Sequence, residues 1–192
     1  MVHIIYDGSF IGLINAYNYI FSNEITPTLI GRATNFQTNF LAKEVYINSE
    51  PNNYEQFLLF LTRKGLKYLE EPIYKTYLAS PHGFEILIYN VIQEHLSERG
   101  EQLFWKKFER IIKKIDKALI QLESGIRFKE EKGYTFFASI SPEYNLLPLL
   151  AKNLTKKFPH TWVIYDEKRK YGLEYDLEKL ECIQFSKLAH AC

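Results

Sequence analysis

Between residues 102 and 123, apolar side chains recur every three or four positions, at Phe104, Phe108, Ile111, Ile112, Ile115, Leu119 and Leu122. At ~100° per residue these fall on one stripe of a helix, and Lys106, Arg110, Lys113 and Lys117 fall opposite it. A long helix of this kind must lay one face on a core and leave the other in water. Gly125 supplies the stop. Beyond it the period shifts from 3.6 toward 2. Ile126-Arg127-Phe128-Lys129 alternates, residues 130–133 read as a turn, and residues 134–140 are apolar on both faces, as in a central strand. Ser141-Pro142 then predicts a helix over 143–157 with Leu146, Leu149, Leu150 and Leu154 inward. Strands are expected over 162–165 and 171–175, flanking a polar turn at 166–170.

The N-terminal half is helix-rich. His3-Ile4-Ile5-Tyr6 reads as a short strand, and Asp7-Gly8-Ser9 breaks it. Phe10, Leu13, Ile14, Tyr17 and Phe21 then follow a helical pattern, with Asp7 and Ser9 as candidate N-caps. Residues 22–53 are turn-rich, with one strand expected near 43–48. Helices are expected over 54–64, over 66–79 with Pro72 at a break or first turn, and over 84–96. This order predicts an α+β fold: a helix-rich N-terminal half packed on a small, mostly antiparallel sheet formed largely by the C-terminal half. A single domain over 1–192 is expected, with a helical subregion at 54–124 and core motifs at 3–21 and 126–176.

A chain of 192 residues, 46% hydrophobic, is long enough to bury a real core and is neither disordered nor disulfide-built. No apolar stretch reaches the ~18 residues that span a bilayer, and the start lacks the pattern of a secretory signal. With Cys182 and Cys192 the only cysteines and no Cys/His spacing for zinc, a cytoplasmic protein without metal or cofactor is expected. Charge is uneven: residues 101–172 carry 15 basic and 9 acidic groups, net +6, against −5 for the remainder. That asymmetry points to a polyanionic partner. The 14 tyrosines and 14 phenylalanines add many rings, the tyrosines with one wet edge suited to a binding surface.

Four groups of residues could carry chemistry. Asp7 and Ser9 stand where a strand enters a helix N-terminus; they either cap the helix or flank an anion seat. Lys168, Arg169 and Lys170 sit in a turn between Tyr165 and Tyr171. Lys and Arg beside Tyr suit phosphate contact with base stacking, and equally suit a solvated hairpin in which Asp166 bonds local amides. The Lys106/Arg110/Lys113/Lys117 stripe reads as a backbone-tracking face or a solvated one with local ion pairs. Arg127 and Asn145 are polar residues in apolar surroundings and need partners, Arg127 either Asp166 or a phosphate. The histidines are scattered, and no nucleophile elbow or metal-binding helix motif is present.

Taken together, Tyr6-Asp7-Gly8-Ser9-Phe10-Ile11-Gly12-Leu13, Ile126-Arg127-Phe128, Ser141-Pro142-Glu143-Tyr144-Asn145-Leu146-Leu147-Pro148-Leu149, and Trp162-Val163-Ile164-Tyr165-Asp166 leading to Arg169, Tyr171-Gly172 and Tyr175 form an ordered set. The set resembles a bacterial family of DNA metabolism and repair proteins of unassigned function. Members of that family are typically encoded beside a radical-SAM protein of DNA modification or repair, and some carry a uracil-DNA-glycosylase-like domain. Many continue past the last strand into a basic, aromatic-rich tail, where this sequence reads Ser-Lys-Leu-Ala-His-Ala-Cys. The resemblance spans about residues 3–176.

The resemblance implies a DNA metabolism or repair accessory acting with a radical-SAM partner, with DNA as a further ligand. Arg127, Lys168, Arg169, Lys170 and Tyr171 would contact nucleic acid or phosphate. The alternative is an enzyme acting on a nucleotide or nucleic acid, its site built from the Asp7/Ser9 and Asp166/Arg169 loops with Asn145. A third reading takes the motifs as folding determinants whose polar groups satisfy one another.

Overall fold

Ile4 and Ile5 are adjacent in sequence and both wholly buried, so the first strand, β1 (Val2–Tyr6), is covered on both faces. That is the burial of a central parallel strand. The computed structural model describes residues 1–36, 40–97, 102–131 and 135–184. Its chain divides into two compact units, Met1–Ile112 and Lys113–Cys192.

In the first unit, β2 (Leu29–Arg32) and β3 (Lys43–Ile47) flank β1, both parallel to it, in the order β2-β1-β3. Helix α1 (Phe10–Ser22) connects β1 to β2 and buries Leu13, Ile14, Ala16, Tyr17 and Ile20. The expected strand near 43–48 is present; β2 is an addition to what the sequence suggests. Its Leu-Ile-Gly-Arg has no alternation and holds a glycine, which weakens any strand signal. Helices α2 (Asn52–Arg63), α3 (Glu70–Ala79) and α4 (Phe84–Leu96) follow, with a 3₁₀ turn at Lys67–Leu69. Their core is aromatic: Phe21 stacks on Phe60 and Tyr89 with ring centroids 5.1 and 5.7 Å apart. Pro72 sits in the first turn of α3, where its missing N–H is harmless.

Helix α5 (Leu103–Gly125) bears out the apolar stripe from Phe108 onward, with Phe108 and Ile115 wholly buried and Lys106, Arg110, Lys113 and Lys117 exposed, whereas Phe104, in its first turn, is exposed. Its first turn is capped from α4: the Glu94 carboxylate accepts the Phe104 and Trp105 N–H groups at 2.9 and 2.8 Å. A carboxylate there meets both the orphan amides and the positive helix end.

The second unit is a five-stranded sheet in the order β4-β5-β6-β7-β8: β4 (Lys129–Glu131), β5 (Thr135–Ile140), β6 (Trp162–Asp166), β7 (Tyr171–Tyr175) and β8 (Leu180–Ile183). Three of its pairings are antiparallel and β5·β6 is parallel, because helix α6 (Leu147–Lys157) crosses between those two strands. The helix-rich first half and antiparallel-rich C-terminal sheet agree with the expected fold class. Leu147, Leu150, Ala151 and Leu154 of α6 pack on Ala138, Ile140, Trp162, Ile164 and Leu173. Helix α6 begins at Leu147 rather than near 143. Side chains of β7 and the β6–β7 turn hold residues 142–145 in a non-helical loop, and Pro148 then fits the helix's first turn.

Candidate functional site

At the end of β1 the chain turns through Gly8, whose φ of +92° favours glycine. Asp7 becomes the centre of a hydroxyl–carboxylate knot. Its Oδ1 accepts the Ser9 N–H at 2.9 Å and the Ser9 hydroxyl at 2.7 Å, and its Oδ2 accepts the Ser49 hydroxyl at 2.5 Å. Ser9 Oγ also accepts the Gly12 N–H at 2.9 Å, so Ser9 is the N-cap of α1. Burial pushes the Asp7 carboxyl up, yet the Ser49 and Ser9 hydrogen bonds outweigh it and hold the group below the ordinary carboxylate value. Gly12 is required by this knot: a Cβ there would lie 2.1 Å from Asp7 Oδ1. Asn15, buried on α1, donates to the Asn48 and Glu50 carbonyls at 3.0 and 3.2 Å and fixes the loop that delivers Ser49.

Beside the knot lies a network that sequence spacing did not single out. Tyr6 donates to Glu85 Oε1 at 3.2 Å and accepts from Arg32 Nε at 3.1 Å; Arg32 Nη2 donates to Ser80 Oγ at 2.8 Å. The Arg32 guanidinium also lies 5.6 and 5.4 Å from the ring centres of Tyr77 and Phe84. Tyr77 donates to the Gly8 carbonyl at 3.0 Å, tying the network back to the β1–α1 turn. Burial raises the Glu85 carboxyl, countered in part by its own backbone N–H and by Arg32. Arg32 and Glu85 stand alone in their local sequence, and only folding pairs them.

In the second unit the β6–β7 turn is locked from within. Asp166, wholly buried, accepts the Lys168 and Arg169 N–H groups on Oδ1 at 3.0 and 3.1 Å and Arg169 Nη1 on Oδ2 at 2.9 Å. Arg169 Nη1 also donates to the Pro142 carbonyl at 3.2 Å, and Nη2 to the Glu143 carbonyl at 2.8 Å. Tyr171 donates to Asn145 Oδ1 at 2.6 Å, and burial, with the Asp166 charge second, pushes its hydroxyl up to about 12. Glu167 is bonded by the Ser139 hydroxyl. Lys170 adopts a left-handed φ of 59°, and Lys168 and Lys170 are exposed and make no ion pair among the described residues.

Arg127 does not pair with Asp166, whose carboxylate Arg169 already holds. It is exposed, and its Nη1 donates to the Ser124 and Ile126 carbonyls at 3.0 Å each, closing the end of α5. Asp7 and Ser9 thus meet in the first unit, and Asn145, Asp166, Arg169 and Tyr171 meet in the second. Among the described residues no group of three or more His, Cys, Asp or Glu could hold a metal ion, and no helix is long and apolar enough to cross a membrane.

These features define a mixed α/β protein whose polar motifs are anchored by internal hydrogen bonds, with two lysines left outward on one turn. Residues 82–189, more than half of the chain, match the family described as a domain of unknown function, DUF4130, and the chain belongs to that family. The matched stretch runs from just before α4 through β8 and includes Arg127, Asn145, Asp166 and the 168–171 turn. No curated protein matches the chain.

Proposed function

We propose that the protein is a non-catalytic accessory in DNA metabolism or repair that acts with a radical-SAM partner and contacts DNA phosphate through the β6–β7 turn. The observation that carries this reading is the division of labour within Lys168-Arg169-Lys170. Arg169 is spent inward on Asp166 and two carbonyls, while Lys168 and Lys170 are presented outward with no acidic partner among the described residues. A turn rigidified at its base presents cations at low entropic cost. The surrounding unit supports it: residues 113–192 carry 14 basic against 11 acidic side chains. Half-exposed Tyr165, paired in register with Gly172, adds a ring beside the turn for base stacking. The motif resemblance supplies the radical-SAM partner and the DNA context.

Fluorescence anisotropy with labelled single- and double-stranded DNA at low salt tests the DNA half, with binding expected and Lys168→Ala/Lys170→Ala expected to weaken it. An absence of binding to either form would refute it. Complex formation with a purified radical-SAM protein encoded beside this gene, followed by size-exclusion chromatography, tests the partner half separately.

A further inference from the structure

The first unit contains a cavity of about 640 Å³ between β2 and the first turn of α4. Its size is that of a small-molecule site, ~300–1,000 Å³. The walls are aromatic and aliphatic, with Phe36, Phe84 and the ring of His3 among them, and Phe36 meets His3 edge-on at 5.9 Å. The polar part of the lining comes from His3, Thr28, Arg32, Ser80, His82 and Glu85. Arg32 and Glu85 line it as a pair, Nε to Oε1 3.8 Å. Strand β2 lies at a sheet edge and is bonded among the described residues only to β1, so every second residue of its length turns an N–H and a C=O away from the sheet. All of Thr28–Arg32 lines the cavity, and at Gly31 the backbone carries no side chain: among the described residues, a Cβ there would meet Leu29 Cδ2 in a tight contact at 3.1 Å. His3 is more than nine-tenths buried in this wall, and its Nδ1 has no hydrogen-bond partner among the described residues.

We infer that this cavity binds a planar, uncharged heteroaromatic ring of the nucleobase or nucleoside class. A backbone donor and acceptor side by side read the complementary edge of such a ring, and flat apolar walls hold its faces. A phosphorylated ligand is disfavoured, because the Glu85 carboxylate lies beside Arg32 and offsets its charge. An extended peptide adding to the β2 edge is the rival occupant. Residues 80–86 also line the cavity, and its volume of about 640 Å³ suits a compact ligand better than a continuing strand. This inference is independent of the DNA contact at the β6–β7 turn.

The test is titration of the full chain with adenosine, guanosine, cytidine and thymidine, read by amide NMR shifts and calorimetry. At least one nucleoside is expected to bind with a Kd below about 1 mM and to shift the amides of Gly31, Phe36 and Gly83. Gly31→Val, which adds bulk beside β2 and presses on Leu29, is expected to weaken binding at least about tenfold. Phe36→Ala, which removes a wall without adding bulk, is expected to do likewise, with unchanged melting confirming the fold of each variant. Lys168→Ala/Lys170→Ala leaves nucleoside binding unchanged. The inference is overturned if no nucleoside binds, if binding survives both cavity variants, or if only an extended peptide shifts these amides.

Discussion

Arg169 Nη1 lies 2.9 Å from Oδ2 of the wholly buried Asp166, three residues earlier, and the same guanidinium reaches on to the Pro142 and Glu143 carbonyls. One side chain thereby neutralises a buried carboxylate, closes the β6–β7 turn and anchors the loop before α6. Removing it leaves Asp166 buried and short of its cation. Arg169→Ala is expected to cost about 3 kcal/mol in denaturant unfolding. Arg169→Lys should recover little of that loss, since an ammonium cannot reproduce the planar fork. Near-wild-type stability of Arg169→Lys would show that charge alone suffices.

Gly12 offers a case in which helix propensity and packing disagree in sign. In a bare helix Gly→Ala stabilises by about 1 kcal/mol. Here the added Cβ would lie 2.1 Å from Asp7 Oδ1 and 3.0 Å from Ser49 Oγ. Gly12→Ala is therefore expected to destabilise by about 1–2 kcal/mol net. Asp7→Ala/Gly12→Ala should be more stable than Gly12→Ala alone, because the closer clash, with the Asp7 carboxylate, has gone. Thermal melts of the wild type and the two variants decide it.

Acid and neutral pH separate Asp7 from Glu85. The Asp7 carboxyl is held low by Ser49 and Ser9 hydrogen bonds that exceed its burial penalty, so its contribution is present above the ordinary carboxylate pKa and is lost as pH falls through the lowered value. Asp7→Asn should therefore lose its disadvantage to wild type as pH drops below about 4. The Glu85 carboxyl is raised by burial, so its contribution is present below the ordinary carboxylate pKa and fades as pH rises through the raised value. Melting of Glu85→Gln relative to wild type should accordingly improve from acid toward neutral pH. The same trend in both variants would contradict this assignment.

The Tyr171 hydroxyl and Asn145 Oδ1, 2.6 Å apart, join β7 to the loop that delays α6. Tyr171→Phe and Asn145→Ala are each expected to cost about 1 kcal/mol. A double-mutant cycle should return a coupling of about 1 kcal/mol. Additive losses would mean that each residue acts through other contacts.

The α5 stripe was legible because its repeat is long and its apolar face meets a core in each unit; Phe108 and Ile115 are as buried as the pattern requires. The turn around Asp166 was legible as a charged hairpin between aromatic strands. The division among its cations was not, because it depends on where the carbonyls of residues 142 and 143 fall in space. The start of α6 departs from the local pattern for the same reason: local capping signals favour 143, and contacts from β7 and the turn override them. Strand β2, four residues with a glycine, gains its identity from pairing with β1. Ser49, Arg32 and Glu85 carry no signal in their own neighbourhoods, since each acquires its role from a partner more than 25 residues away.

The most direct measurement is the salt dependence of single-stranded DNA affinity for wild type and for Lys168→Ala/Lys170→Ala. Two phosphate contacts on single strands contribute about −1.4 to the slope of log K against log salt. The variant's slope should be shallower by about that amount, with its melting temperature unchanged. Equal slopes for the two proteins, or no measurable affinity for the wild type at low salt, would contradict the assignment of this turn to phosphate.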